Sequence, residues 1–241
     1  MINVLLNGSN GKMGGAFENY IKNSKKYFLK YKIDKENSDS FNSILIKPDV
    51  IVDFSNPKAT FNSLNYAVEN LVPVVIATTG FSQEEDFKIQ EFSEAIPIFK
   101  SSNLSYGIHI LTLLSNLVIE KFGNKVDIEI IEKHHRNKKD APSGTALMIA
   151  DSINYHSNNK YKYVFDKSIK ANSKDYNEIG FSSIRGGNIA GEHSIMFFGS
   201  DETIEISHKA YSRNIYIEGA LKATDFIINQ KNGLFNMNDL F

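Results

Sequence analysis

The residues best suited to chemistry lie between positions 132 and 146 of the 241-residue chain. Nearly every residue from 133 to 139 is lysine, arginine or histidine, and Ser143-Gly144-Thr145 then opens an apolar, helix-like segment. Histidine exchanges protons near neutral pH, and clustered cations and helix N-termini both attract carboxylates or phosphates. The stretch therefore predicts an anion site with an acid–base group, and the alternative is a solvated run of surface charge.

Other ligand classes fit this stretch less well. His134 and His135 could bind a metal, but adjacent residues of a strand point to opposite faces and rarely share one ion, so we expect no metal site. The formal net charge of −1 and the lack of a wider basic face argue against nucleic acid. Basic residues recur at 183–187, 191–193 and 207–213, where each segment could be a turn. Together with the first cluster they predict a pocket wall that binds an anion.

A glycine-rich segment with Gly8, Gly11 and Gly14 follows the first predicted strand and opens the first predicted helix. Such a loop lets the backbone approach a pyrophosphate, although a structural turn is the alternative. Asp34 ends the second predicted strand, where an acidic residue can bind ribose hydroxyls. Lys35 could face a 2′-phosphate, and a solvated charge pair is the alternative here.

Small polar residues also follow the fourth and fifth predicted strands, at 77–80 and 101–103. Ligands of open parallel sheets bind beyond the carboxyl ends of the strands. These residues would suit a nicotinamide ribose, and ordinary turn chemistry is the alternative.

The elements that position these residues predict an α/β fold. In the first hundred residues, short apolar strands alternate with amphipathic helices, which is typical of a Rossmann-like doubly wound parallel sheet. Polar residues 35–43 are predicted to form a surface loop. After about residue 103, alternating apolar residues at 126–131 and a hairpin at 196–206 predict an α+β domain with a mixed sheet.

Composition narrows the class of protein. The chain is 41% hydrophobic and 23% charged, and its length allows one large domain or two small ones at roughly 150 residues each. It has no cysteine, which excludes disulfides, thiolate nucleophiles and cysteine-bound metals. No apolar run approaches the roughly 18 residues of a membrane span, and no signal peptide is recognisable. We expect a soluble, cytoplasmic, globular protein.

The stretch from 132 to 146 resembles the signature of the dihydrodipicolinate reductases, now described as 4-hydroxy-tetrahydrodipicolinate reductases: E-x-H-H-x-x-K-x-D-x-P-S-G-T-A. The resemblance continues, in order along the chain, through the glycine loop and residues 53–55, 77–80, 101–103, 185–187, 191–193 and 208–213. It implies reduction of a cyclic imine dicarboxylate by NADH, NADPH or both, in diaminopimelate and lysine biosynthesis.

The resemblance also implies an organisation and a set of site residues. A dinucleotide-binding domain over 1–103 is completed by 212–241, and a domain over 104–211 binds substrate and builds a homotetramer. His134 is then the acid–base residue and Lys138 the proton donor, while His135, Gly144 and Thr145 hold the substrate carboxylates. The implied cofactor-binding residues are Gly8, Ser9, Asn10, Gly11, Lys12, Met13, Asp34, Lys35, Ala77, Thr78, Thr79, Ser101, Ser102, Asn103 and Leu104.

The sequence departs from the family pattern at Asn10, Ala77, Leu104 and Asn137, and its segment 35–47 is short. These departures bear on cofactor affinity and preference more than on the reaction. Two other functions stay open at this point. One is a non-catalytic protein that senses NAD(H), and the other is a reductase of a different small dicarboxylate.

Overall fold

The computed structural model describes residues 1–123, 126–166, 175 and 177–240, with the side chains of residues 37–40 excepted. Backbone contacts divide the chain into two units, Met1–Tyr106 with Arg213–Phe241, and Gly107–Ser212. The strands are β1 Ile2–Asn7, β2 Tyr27–Ile33, β3 Val50–Asp53, β4 Val74–Ile76, β5 Pro97–Lys100, β6 Asp127–His134, β7 Lys162–Val164, β8 Glu178–Arg185, β9 Gly191–Phe198, β10 Thr203–Ala210 and β11 Gly233–Phe235. The α-helices are α1 Lys12–Ile21, α2 Pro57–Asn70, α3 Gln83–Ser93, α4 Tyr106–Phe122, α5 Gly144–His156 and α6 Asn214–Ile227.

The first unit is built on a six-stranded sheet in the order β11-β5-β4-β3-β1-β2, and all its strand pairs are parallel. The chain leaves β1 for β2 on one side and then crosses to β3 on the other, so the topological switch point lies between β1 and β3. Leu6 and Phe17 pack against α6 on one face, while Leu5 and Leu64 belong to the core on the opposite face. The predicted doubly wound sheet is confirmed.

Local sequence accounts for most of these elements. Asn56 caps α2 by accepting a hydrogen bond from the Ala59 N–H, and Pro57 occupies the first helical position. The prediction of a loop over 35–43 is wrong, because Lys35–Ser43 forms a 3₁₀ helix. Its end is anchored by Phe41, which packs against the apolar core.

The second unit contains a five-stranded sheet in the order β10-β9-β6-β8-β7. β6 pairs antiparallel with β9 and parallel with β8, so the sheet is mixed, as predicted. Ile128, Ile130 and Ile195 form its buried face with Leu111 of α4 and Ile149 of α5. This packing fixes the carboxyl end of β6 beside the start of α5. Within the described residues, no helix has the length and apolar character needed to cross a membrane.

Gly219 of α6 is required by the packing of the first unit. A Cβ added to it would lie 1.8 Å from the Leu104 carbonyl oxygen. We expect Gly219→Ala to lower the free energy of unfolding by about 3 kcal/mol, because a backbone atom cannot yield as a flexible side chain does. Urea titration of the ligand-free protein measures this loss.

Gly15→Ala is the matched control for that substitution. Gly15 also lies in a helix, but an added Cβ meets nothing within 4 Å. Its stability is expected to stay the same or to rise by about 1 kcal/mol. Equal stabilities of the two variants would contradict the packing argument.

Candidate active site

The glycine loop leaves β1 at the switch point with a backbone that only glycine accommodates. Gly8 has φ +83°, and a Cβ on it would lie 2.7 Å from the Phe54 carbonyl oxygen. A Cβ on Gly14 would lie 2.2 Å from the Gly8 carbonyl oxygen. The loop and the first turn of α1 are therefore packed too closely for any side chain at these two positions.

A cavity of about 240 Å³ lies beside this loop and is lined in part by Gly8, Gly11, Asp34, Lys35 and Ser55. The Asp34 carboxylate accepts hydrogen bonds from the N–H groups of Asn10 and Lys35, both at 2.7 Å. Asp34 thus holds the glycine loop against the end of β2 while facing the same cavity. A backbone cradle with a carboxylate at its rim has the features that a dinucleotide needs.

Beneath the loop, the buried carboxylate of Asp53 joins the ends of three strands. Its Oδ1 accepts hydrogen bonds from the Ser55 hydroxyl at 2.5 Å and the Thr78 hydroxyl at 3.2 Å, and from Asn7 Nδ2 at 3.4 Å. Burial raises the pKa of Asp53, and the bonds from Ser55 oppose that change. The network ties the ends of β1, β3 and β4 together, and sequence reasoning assigned it no role.

The other predicted cofactor residues differ in exposure. Leu104 is 3% exposed and packs in the core beside α6, and Met13 and Ala77 contact the same core. Ser101 donates a hydrogen bond to the Asn103 carbonyl at 2.7 Å, and Asn103 accepts one from the Ser105 N–H. Ser9 and Thr78 are buried, whereas the exposed predicted residues are Asn10, Gly11, Lys12, Lys35, Thr79 and Ser102.

In the second unit, His134 ends β6 and lies beside a buried ion pair. The alternation of the strand places Glu132 and His134 on the same buried face. Glu132 Oε2 lies 2.5 Å from His134 Nδ1, and Arg185 of β8 binds both carboxylate oxygens, at 2.8 and 2.6 Å. Burial alone would raise the pKa of Glu132, but hydrogen bonds from His134 and Arg185 outweigh it and hold that pKa well below its usual range. Glu132 is therefore a carboxylate at neutral pH.

A second buried histidine packs against the first. His193 of β9 meets the His134 ring edge to face, with ring centroids 5.2 Å apart, and its Nε2 lies 3.1 Å from the Ser143 hydroxyl oxygen. Burial, together with the neighbouring His134, lowers the pKa of His193 to about 3. The neutral ring hydrogen-bonds to the Ser143 hydroxyl, and the same hydroxyl oxygen caps α5 by accepting a hydrogen bond from the Ala146 N–H.

The start of α5 carries the remaining predicted substrate residues. Gly144 is the first residue of the helix and is exposed, while Thr145 and His135 are half-buried. Lys138 pairs with Asp140 at 2.9 Å, and the Gly144 N–H also bonds to the Asp140 carboxylate. The predicted proton donor therefore lies beside the N-terminus of α5.

The prediction that basic side chains of the pocket wall bind an anion is wrong for Arg185 and His193. The charge of Arg185 is compensated by Glu132, and its Nη2 also donates to the Asp140 carbonyl at 2.6 Å. His193 is uncharged because it is buried. Both residues position the site. Glu132 lies two residues before His134 on a strand, so the sequence could have indicated that the two side chains share a face. Nothing in the local sequence marks Arg185 as the second partner of Glu132.

No group of three or more histidine, aspartate or glutamate side chains that could hold a metal ion occurs in the part of the chain that the structure describes.

A parallel sheet with a glycine cradle, joined to a mixed-sheet unit with a buried histidine beside a carboxylate, defines the class of two-domain NAD(P)H-dependent oxidoreductases. The family model for the N-terminus of dihydrodipicolinate reductase matches residues 2–104, and the model for its C-terminus matches residues 107–241. The chain belongs to this family, so the predicted resemblance is confirmed.

Individual relatives agree with the family models. The chain is 44% identical to the 4-hydroxy-tetrahydrodipicolinate reductase of Caldanaerobacter subterraneus subsp. tengcongensis, over 100% of this chain and 98% of the relative. It is 39% identical to the enzyme of the same name from Clostridium tetani, over 99% and 96%. The solved structure of dipicolinate-bound dihydrodipicolinate reductase from Paenisporosarcina sp. TG-14 has the same fold, with a TM-score of 0.78, 24% identity and coverage of 98% and 97%.

Proposed function

We propose that this protein reduces 4-hydroxy-tetrahydrodipicolinate (dihydrodipicolinate) to tetrahydrodipicolinate with NADH or NADPH, in diaminopimelate and lysine biosynthesis. The observation that carries the proposal is the arrangement of the second unit. His134, held by the Glu132 carboxylate, ends β6, and Lys138 lies in the loop between β6 and α5. Glu132 bonds to the Ser143 N–H and Lys138 pairs with Asp140, so both residues are tied to the start of α5. A non-catalytic NAD(H) sensor would have no need of this arrangement.

The cofactor belongs to residues 1–103 and 212–241, which we propose as the dinucleotide-binding domain. Residues 8–13 would hold the pyrophosphate, Asp34 and Lys35 the adenosine ribose, and residues 77–79 and 101–104 the nicotinamide side. The lack of room for a Cβ at Gly8 and the adjoining cavity support this assignment. When bound, the cofactor supplies the hydride.

Residues 104–211 form the proposed substrate domain. The N–H groups at Gly144 and Thr145, with His135, bind the two carboxylates of the ring, since a helix N-terminus and nearby cations favour anions. The 4-hydroxy substrate first loses its hydroxyl group as water, which gives the dihydro ring. Reduction of that ring then adds a hydride to one ring carbon and a proton to its neighbour. His134 and Lys138 transfer that proton, and a cation near the ring nitrogen stabilises the negative charge that develops there.

We further propose a cytoplasmic homotetramer that is assembled through the second unit. Ile131, Ile184 and Met196 lie on the sheet face opposite the one packed against α4 and α5, and Ile184 is 47% exposed. Apolar residues on an open sheet face favour association. Sedimentation equilibrium tests the assembly: a tetramer supports it and a monomer contradicts it.

The test of the function is NADH oxidation, followed by absorbance while the substrate is generated in situ. We expect oxidation that depends on the substrate and is inhibited competitively by dipicolinate, a planar analogue of the ring. Cofactor binding without turnover would instead favour the sensor. Turnover of another small dicarboxylate, with none of this substrate, would favour a different reductase.

We expect the enzyme to use both cofactors, with kcat/KM values within about tenfold of each other, equivalent to ~1.4 kcal/mol. Asp34 favours free ribose hydroxyls, while the exposed Lys35 faces the same cavity and can accept a 2′-phosphate. Initial rates with NADH and NADPH measure this ratio, and a thousandfold difference would contradict it. Lys35→Ala should weaken NADPH use and spare NADH, whereas Lys30→Ala, which changes a half-buried lysine on β2, should change neither.

A further inference from the structure

We propose that Glu132 is a positioning residue for the reduction: it fixes which nitrogen of His134 exchanges the proton and ties that ring to the start of α5. The inference rests on the proposed function for its kinetic consequences. Its structural content, a single tautomer of His134, is independent of that function.

Glu132 lies where three elements of the second unit meet. Its side chain is 1% exposed. Oε2 faces His134 Nδ1 at 2.5 Å and accepts from Arg185 Nη1 at 2.8 Å, while Oε1 accepts from Arg185 Nη2 at 2.6 Å and from the Ser143 N–H at 3.1 Å. One carboxylate therefore connects β6, β8 and the cap of α5. Removing it would take the carboxylate from the half-buried Arg185 guanidinium, which would keep the Ile184 and Asp140 carbonyls, and would leave the buried Ser143 N–H without its acceptor.

The ionisation of Glu132 decides the tautomer of His134. An ionised carboxylate can only accept hydrogen bonds, so the nitrogen 2.5 Å from it must be the donor. Nδ1 of His134 then carries a proton in both the neutral and the charged ring. Nε2 is the nitrogen left to give or take the proton in the reaction.

The opposite side of the ring is equally confined. A Cβ on Gly191 would lie 3.1 Å from His134 Nε2, so this glycine leaves the room that the ring needs. The neutral His193 packs against the ring edge to face. The ring is held by Glu132 at Nδ1 and by close packing near Nε2, which disfavours a rotated orientation.

Through its hydrogen bond from the Ser143 N–H, Glu132 also positions the N-terminus of α5, which is the proposed anion-binding end of the site. Ser143 precedes Gly144 and Thr145, the residues proposed to hold the substrate carboxylates. Glu132 thus positions the proton-transfer group and the carboxylate-binding helix together. Because its contacts are with protein groups, Glu132 acts through His134 and α5.

The first test examines the wild-type protein. In an NMR spectrum of the ¹⁵N-labelled histidine rings at high pH, His134 is assigned by comparison with His134→Gln. We expect the neutral His134 ring to carry its proton on Nδ1. A neutral ring with its proton on Nε2, or an even mixture of tautomers, would overturn the proposal. This measurement of the tautomer does not require the protein to turn over any substrate.

The second test is a double-mutant cycle. Glu132→Gln should lower kcat by at least about 100-fold, because a positioned acid–base group contributes roughly 10²–10⁴-fold and this one depends on Glu132 for its tautomer, and it should leave the KM for NADH unchanged. In a His134→Gln background the same change should cost less than about threefold, because its effect passes through that ring. Glu192→Gln is the control, since Glu192 pairs with Lys133 on the other sheet face.

Wild-type kcat in Glu132→Gln, or a 100-fold loss that recurs in the His134→Gln background, would show that Glu132 has only a structural role or none. If Glu132→Gln fails to fold, the tautomer of the wild-type ring decides alone. An inactive wild-type enzyme would refute the proposed function. An active wild-type enzyme with the wrong tautomer refutes only this inference.

Discussion

His134→Gln is expected to lower kcat by roughly 10²–10⁴-fold, the usual contribution of a positioned acid–base group. The substitution keeps a polar side chain of similar reach but removes the proton that the imidazole exchanges. The KM for NADH should hardly change, because His134 lies in the second unit and the proposed cofactor residues lie in the first. Steady-state kinetics with saturating cofactor measure both values.

His156→Gln is the control for this prediction. His156 is exposed at the end of α5 and bonds to the Ser152 carbonyl. It should retain the kcat of the wild type. A His134→Gln enzyme with unchanged kcat would remove His134 from the mechanism.

Lys138→Ala should lower kcat by at least about 100-fold and raise the KM for the dicarboxylate by at least about tenfold. The ammonium group pairs with Asp140 beside the first turn of α5. Its loss removes a proton donor and a cation, and it leaves the Asp140 carboxylate uncompensated where an anionic substrate must bind. Both effects act in the same direction.

Lys139→Ala is the control, because Lys139 is the neighbouring lysine and is exposed. It should show wild-type KM and kcat. Kinetics of Lys138→Ala that match those of Lys139→Ala would leave the proposed role of Lys138 without support.

Local sequence signals predicted much of the fold. The alternation of apolar strands and amphipathic helices indicated the parallel sheet, and the segment Ser143-Gly144-Thr145 indicated where α5 begins. β11 was missed because three residues after the last helix carry little periodicity of their own. That strand is specified by pairing with β5, which lies far away in the sequence.

The site shows the same division between local and tertiary information. His134, His135 and Lys138 stand close together in the sequence, so their types and spacing indicated acid–base chemistry. The ion pair of Glu132 with Arg185 spans β6 and β8, and only their parallel register brings the two residues together. The neutral state of His193 likewise follows from burial, which depends on how the sheet and α5 pack.

Crystals of the protein with NADH and dipicolinate would test the central claim most directly. We predict that the carboxylates of dipicolinate contact the N–H groups of Gly144 and Thr145 and the side chain of His135, with the ring beside His134 and Lys138. Dipicolinate bound elsewhere, with His134 and Lys138 free of it, would contradict the account.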